Sequence, residues 1–277
     1  MVDRLKTMQP EEIKTWSDFV EKIATLDRRW IFRGDLESRG LLTSLERACK
    51  SWHVLLKSAP GIERRLVREF KRHPETVQLD LEHDDDLCWY TAMQHYGAPT
   101  RLLDWTYSPF VAAHFAFDRF LSTLPIGALA KPQRAAVWAL DTNALSDALK
   151  KGVLKKYWRL YQKKDSKSFT DLYVKRPRPI QFLEVVNPLR LNERLSIQQG
   201  LFLCPGDIRY SWVKNFEASR SKTGTIRLFV MDAAVIDDAF EALSRMNVTS
   251  RSLFPGLDGY AKSLLHRFKI LSDVPIE

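Results

Sequence analysis

Apolar residues recur along this chain in short blocks whose spacing switches between three-to-four and two, separated by polar, glycine or proline breaks. Trp16, Phe19, Val20 and Ile23 form one amphipathic stripe, and Thr15 with Asp18 three residues later supplies the start of a helix. Trp30-Ile31-Phe32-Arg33-Gly34-Asp35 reads as a short strand running into a turn at the glycine. Ile62, Leu66 and Phe70 stripe a helix with a basic outer face that stops before Pro74. Asp84-Asp85-Asp86 suits a helix N-terminus, where the dipole favours negative charge. That helix is expected to run through Trp89 and Met93 and close at Gly97, with Pro99 preventing its continuation. Thr100 to Trp105 reads as extended. Ser108 and Pro109 then cap and open another helix, whose Ala112, Ala113 and Ala116 give it a small-residue face for close approach to a neighbouring backbone.

Further strands are predicted at Ala135–Leu140, Ile180–Val186, Leu201–Cys204 and Thr225–Asp232, the last alternating through Ile226, Leu228 and Val230. Ala233–Met246 reads as a helix and another follows Leu257, while the stretch from Leu121 to Gln133 reads as irregular. Separated strands mixed with helices, without regular alternation, predict an α+β fold with mainly antiparallel pairing.

Composition narrows this further. A chain of 277 residues with 45% apolar and 28% charged content is expected to form a soluble domain with a sizeable core, and residues 1–277 read as a single domain. No run of about 18 uncharged apolar residues is present, so no membrane partner is expected. Met1 to Pro10 lacks the apolar core of a signal peptide, and Cys49, Cys88 and Cys204, odd in number and widely spaced, suit a reducing cytoplasm. No metal-ligand spacing occurs, so no metal is predicted. The charge is uneven: residues 150–178 hold eleven Lys/Arg against two Asp, which is the whole of the net +9. This basic helical insertion reads in two ways. Leu154, Tyr157, Trp158 and Tyr161 could face inward and leave a solvated surface, or Lys155, Lys156, Lys163 and Lys164 could contact nucleic acid.

The densest chemistry lies in Gln94-His95-Tyr96-Gly97-Ala98-Pro99-Thr100-Arg101-Leu102-Leu103-Asp104-Trp105. Polar groups set among large apolar ones must be hydrogen-bonded, to the protein or to a ligand. Gln94 and His95 fall in the last turn of the predicted helix, where the dipole favours a protonated imidazole and burial opposes it, so the charge state of His95 is open. Arg33, ending an apolar strand beside Gly34, can aim its donors at a phosphate or join a buried ion pair with Asp104 or Asp35. Arg194-Leu195-Ser196-Ile197-Gln198-Gln199-Gly200-Leu201-Phe202 places two carboxamides before a glycine, suited either to reading ribose hydroxyls or to a self-satisfied turn. Phosphate-binding loops, dinucleotide glycine motifs, zinc-protease helices and nucleophile elbows are absent.

Phe32-Arg33-Gly34, Gln94–Thr106, Gln199-Gly200-Leu201-Phe202 and Leu253–Gly259 together resemble the FRG domain family, a bacterial group, over roughly residues 16–267. The motif order is more weakly similar to ADP-ribosyltransferases of the Arg-Ser-Glu type. That resemblance implies an ADP-ribosyltransferase-like core, NAD as substrate, and a transferase or glycohydrolase reaction. Under it Arg33, Gly34, Gln94, Thr100, Arg101, Thr106, Arg194 and Gln198 would bind the nucleotide, and Asp104, His95 and Gln199 would serve the chemistry. The sequence departs from that pattern at Gln199, which stands where a glutamate is expected. Glutamine keeps the hydrogen bond but not the negative charge that stabilises a developing oxocarbenium ion. Either another carboxylate such as Asp104 takes that role, or the pocket binds a nucleotide without transfer. Two other readings stay open: a nucleic-acid-binding module using residues 150–178, or a non-catalytic domain in which Arg33, Arg101 and Asp104 form a closed structural network.

Overall fold

The computed structural model describes residues 8–122, 134–145, 169–176, 179–188, 193–219 and 226–272. Within them seven strands form one sheet: β1 (Glu11–Ile13), β2 (Trp30–Leu36), β3 (Leu103–Thr106), β4 (Ala135–Asp141), β5 (Leu183–Val186), β6 (Gly200–Pro205) and β7 (Ile226–Met231). Their order is β1-β7-β4-β2-β3-β6-β5, and every pairing is antiparallel except the parallel β1–β7 edge. The helices are α1 (Trp16–Ala24), α2 (Ser44–Ser51), α3 (Ala59–Arg72), α4 (Asp86–His95), α5 (Pro109–Leu121), α6 (Glu193–Ile197), α7 (Trp212–Ser219), α8 (Ala233–Arg245), α9 (Ser250–Leu253) and α10 (Leu257–Ser272). The α+β class with mainly antiparallel pairing is therefore observed. No helix among the described residues is long and apolar enough to cross a membrane.

Strand alternation distributes the core over two faces. Phe32, Leu36, Val137, Phe229 and Met231 pack under α1, α5 and α8, with Phe19 and Phe117 fully buried between them. Each such aromatic burial stabilises by about 1.5–3 kcal/mol. Ile31, Leu103, Trp105, Trp138, Leu201 and Leu228 point the other way, onto Trp212 and Phe216 of α7. A third cluster joins α4 to the far edge of the sheet through Tyr90, Leu102, Phe182 and Phe202. Phe169, Leu172 and Tyr173 belong to it, so the C-terminal end of the basic segment, a π-turn at Thr170–Val174, is anchored in the core. Lys155, Lys156, Lys163 and Lys164 lie outside the described residues.

The local signals read from the sequence recur as caps. Thr15 accepts from Asp18 N, Asp85 from Cys88 N and Ser108 from Val111 N, and Gly97 takes φ +82° after α4. One expectation is corrected: Gly34 does not turn the chain but lies inside β2, which continues to Leu36. Its reason is a helix, not a bend. A Cβ on Gly34 would stand 1.7 Å from the Ala112 carbonyl oxygen and 2.7 Å from the Ala116 nitrogen, so α5 rests on bare β2 backbone there.

The second constraint is ionic. Arg101 and Glu63 are both buried; Arg101 Nε meets both Glu63 carboxylate oxygens at 2.9 and 3.0 Å, and Nη2 bonds Glu63 Oε2 as well. Arg101 Nη1 donates to the Tyr173 carbonyl at 2.8 Å, and the guanidinium lies 5.5 Å from the centre of the Tyr90 ring. One side chain thereby ties α3, α4 and the 169–176 segment together.

Two stability outcomes follow. Gly34→Ala should destabilise by about 3 kcal/mol or more, because the added methyl meets backbone that cannot move aside; urea denaturation measures this, and a change under about 1 kcal/mol would contradict the contact. Arg101→Met should cost about 3–5 kcal/mol by stranding the buried Glu63 carboxylate, and the double variant Arg101→Met/Glu63→Met should regain most of that loss.

Candidate functional site

β2 is paired with β4 along its whole length, from Trp30↔Asp141 to Leu36↔Ala135, but touches β3 at a single register pair, Phe32↔Thr106. Beyond that pair the two strands part. A cavity of about 360 Å³ opens at the split, walled by β2, β3 and β6 together with α2, α4, α5 and α6. Of the residues singled out in the sequence, Arg33, Gly34, Gln94, His95, Asp104, Thr106, Arg194 and Gln198 line it. Three stretches far apart in the chain thus meet in one hollow.

Arg33 bridges the gap that the missing ladder leaves. Its Nη1 donates to the Asp104 carbonyl at 2.8 Å and its Nη2 to Asp35 Oδ2 at 3.0 Å, with the side chain 10% exposed. Its Nε is buried and has no acceptor among the described residues. Asp35 is itself occupied: Oδ1 accepts from Leu36 N at 2.9 Å and faces Arg39 at 3.7 Å. The ion pair foreseen for Arg33 therefore forms with Asp35, while Asp104 supplies its backbone oxygen and keeps its carboxylate away from Arg33.

That carboxylate is held by a neutral group. Gln94 Nε2 donates to Asp104 Oδ2 at 2.8 Å. The Gln94 carbonyl accepts from the hydroxyls of Thr100 and Ser44. Ser44 also accepts from Thr100 N at 2.9 Å, tying α2 to the loop before β3. α2 is fixed by a capping box from Thr43 to Glu46, whose Oε1 reaches across to accept from Trp212 N at 2.6 Å. Burial pushes the Glu46 carboxyl up despite those two backbone donors.

Cations dominate the remaining wall: Arg33, Arg47, Arg119 and Arg194 face only two carboxylates, Asp35 and Asp104. Burial, and for Arg47 also the neighbouring Arg33, lowers the pKa of Arg47 and Arg194, while Asp104 pulls both the other way. Arg194 stacks its guanidinium 4.4 Å from the Phe254 ring. His95 ends α4, where the dipole favours a cation, yet burial and then Arg194 hold its imidazole below the usual histidine range. Burial and Arg194 together outweigh the dipole and favour the neutral imidazole. A bound phosphate would relieve part of the charge that crowds these groups.

Not every residue singled out reaches the cavity. Thr106 and Gln198 line it but spend polar groups on the protein: Thr106 Oγ1 donates to the Gln198 carbonyl at 2.7 Å and Gln198 Nε2 to the Leu253 carbonyl at 3.0 Å. Thr100 is fully buried behind Gln94, and Arg101 is turned away to Glu63. Gln199 holds the turn into β6 with a left-handed φ of +49°, its carbonyl accepting from Tyr107 N at 3.0 Å, and it is not among the lining residues. Ser44, Arg47, Phe115 and Arg119 line the cavity without having been singled out, and Asp35 was named only as a partner for Arg33. The Thr43-x-x-Glu46 pattern was the available signal for α2 and hence for Ser44 and Arg47. Among the described residues no group of three or more His, Cys, Asp or Glu could hold a metal ion.

Residues 28–123 match the family model described as the FRG domain. That span contains Arg33, Gln94, His95 and Asp104, and stops before β4 and the Gln199–Phe202 and Leu253–Gly259 elements. No curated protein and no solved structure matches the chain.

NMR titration of the His95 ring tests the electrostatics. Its pKa should lie below that of a free histidine, rise toward it in Arg194→Ala, and rise in wild type when inorganic phosphate is added. Because protonation adds a cation, phosphate affinity should increase as pH falls through that pKa, and His95→Gln should flatten the dependence.

Proposed function

Taking the chain as one that carries an FRG domain over residues 28–123, we propose that the cavity binds a phosphate-bearing nucleotide of the NAD type and cleaves its N-glycosidic bond. The observation that carries this reading is the pairing of an arginine-rich wall with one carboxylate, Asp104, whose Oδ1 has no protein donor among the described residues. Arg33 and Arg194 would take phosphate oxygens, and the rings of Phe115 and Phe202 offer apolar wall for a base. The volume falls within the range of small-ligand sites, about 300–1,000 Å³.

In the step proposed, the bond from the anomeric carbon to the pyridinium nitrogen breaks and its electron pair leaves with a neutral nicotinamide. The sugar carbon is left as an oxocarbenium ion. A carboxylate close to that carbon stabilises the charge as it develops, and water or a nucleophilic acceptor then adds and loses a proton. Asp104 occupies this role because Gln199, the residue expected in it from motif order, is outside the lining. His95, whose imidazole burial and Arg194 bias toward the neutral form, would accept the proton released by the attacking water.

Incubation with NAD should release nicotinamide. Asp104→Asn should lower turnover by about 10²–10³-fold while leaving NAD affinity nearly intact. Arg33→Ala should weaken binding by roughly 10- to 100-fold. Absence of both NAD binding and nicotinamide release in the wild type would discard the reading.

A further inference from the structure

Gln94 sits in the cavity wall, yet every polar atom of its side chain is committed to protein. Its carbonyl accepts from Thr100 Oγ1 and, at 3.3 Å, from Ser44 Oγ; its amide nitrogen donates to Asp104 Oδ2 at 2.8 Å. The orientation of the amide is dictated from behind. Thr100 Oγ1 already accepts from Leu102 N at 3.2 Å and gives its proton to Gln94, while Ser44 Oγ, which accepts from Thr100 N at 2.9 Å, shares its one proton between the Thr100 carbonyl at 3.2 Å and Gln94 at 3.3 Å. Rotating the amide by half a turn would set its oxygen against the Asp104 carboxylate, two acceptors face to face. The donors therefore run in one direction, from Leu102 N through Thr100 Oγ1 and Gln94, and end on Asp104.

We infer that Gln94 is a positioning residue rather than a ligand contact. It holds the Asp104 carboxylate by one oxygen so that the other faces the cavity, and the Thr100 hydroxyl behind it sets the direction of its amide. Two features of the surroundings support this. Arg33 bonds the Asp104 backbone oxygen, and among the described residues no cation pairs with the carboxylate. Arg47 on α2 and Arg194 on α6 also line the cavity and feel the Asp104 charge without an ion pair to it. A carboxylate fixed by a neutral donor keeps its full charge for whatever enters, whereas one fixed by an arginine would arrive already neutralised. The ligand group opposite Asp104 is then either a hydroxyl donor or a carbon acquiring positive charge. Only the turnover measurement below rests on the nucleotide-cleaving reading.

The ligand-free protein tests the positioning directly. In ¹⁵N-labelled wild type, the Gln94 side-chain amide signals should follow the ionisation of Asp104 as pH is lowered, and should lose that dependence in Asp104→Asn. Amide signals indifferent to pH and to Asp104→Asn would overturn the inference, whether or not NAD is cleaved. With turnover as readout, Gln94→Ala should lower kcat by about 100-fold with KM changed little, as expected when a reacting group is misplaced by about 1 Å. Gln94→Glu should instead move the acidic limb of the pH profile upward by about one unit or more, since two adjacent carboxylates share a proton. A purely structural Gln94 would lower the unfolding midpoint in both variants and leave the pH profile of the folded fraction where it was, and that outcome rejects the proposal.

Discussion

The Ala112 carbonyl pressed against bare backbone at Gly34 sets the geometry from which the rest of the site descends. With no side chain between them, α5 lies flat on β2, and Phe32 and Leu36 on either side of Gly34 are driven into the apolar layer beneath α1, α5 and α8. The same helix brings Phe115 and Arg119 to the cavity. Because neighbouring residues of a strand project to opposite faces, anchoring Phe32 and Gly34 under α5 sends Arg33 the other way. It then spans the place where β2 and β3 cease to pair. The three-residue signature is thus one mechanical unit: an aromatic for the layer, a glycine for the helix and an arginine for the split.

Two arginines in this protein illustrate what separates a structural cation from an available one. Arg101 has donors on a carboxylate and a carbonyl, a ring beside its guanidinium, and almost no exposure. Buried as it is, it is out of reach of a guest in the cavity, and its removal would strand Glu63. Arg33 is nearly as buried but leaves Nε unmatched, and it shares its wall with Arg47 and Arg194, whose burial already makes their charges costly to hold. An arrangement that keeps like charges together in a hollow gains from an anion in a way that the Arg101–Glu63 pair cannot. A single closed network of Arg33, Arg101 and Asp104, one of the readings open from sequence, is not what forms: Arg101 closes on α3 while Arg33 and Asp104 meet at the cavity.

Much of the scaffold was legible because its signals are local. Caps at Thr15, Asp85 and Ser108, the glycine after α4 and the alternation in β7 each act within a few residues. What was missed depends on distant partners. Gly34 looked like a turn because the helix that requires glycine lies almost eighty residues downstream. Arg101 sits inside the most polar stretch of the chain and still turns inward, since Glu63 arrives from a helix whose pattern announces only its apolar stripe. β1 is three residues long and borrows its order from β7 across more than two hundred positions, so no periodicity could reveal it. Of the site, the residue types and three stretches were readable, whereas their division into wall, support and core was not.

Asp104 is where these threads join. Its carbonyl is gripped by Arg33, from the first signature, and its carboxylate by Gln94, from the second. The two motifs lie some sixty residues apart, yet they hold the same residue at its two ends. Arg33 fixes where the backbone of β3 sits across the split, and Gln94 fixes which way the side chain leaves it. Either grip alone would leave a degree of freedom: a carboxylate rotating on a fixed strand, or a fixed rotamer on a strand free to close against β2. A carboxylate meant only to solvate a surface needs neither. Holding one residue by both its backbone and its carboxylate, with no ion pair to that carboxylate among the described residues and with Arg47 and Arg194 in the same cavity lining, fixes where its charge stands in the hollow.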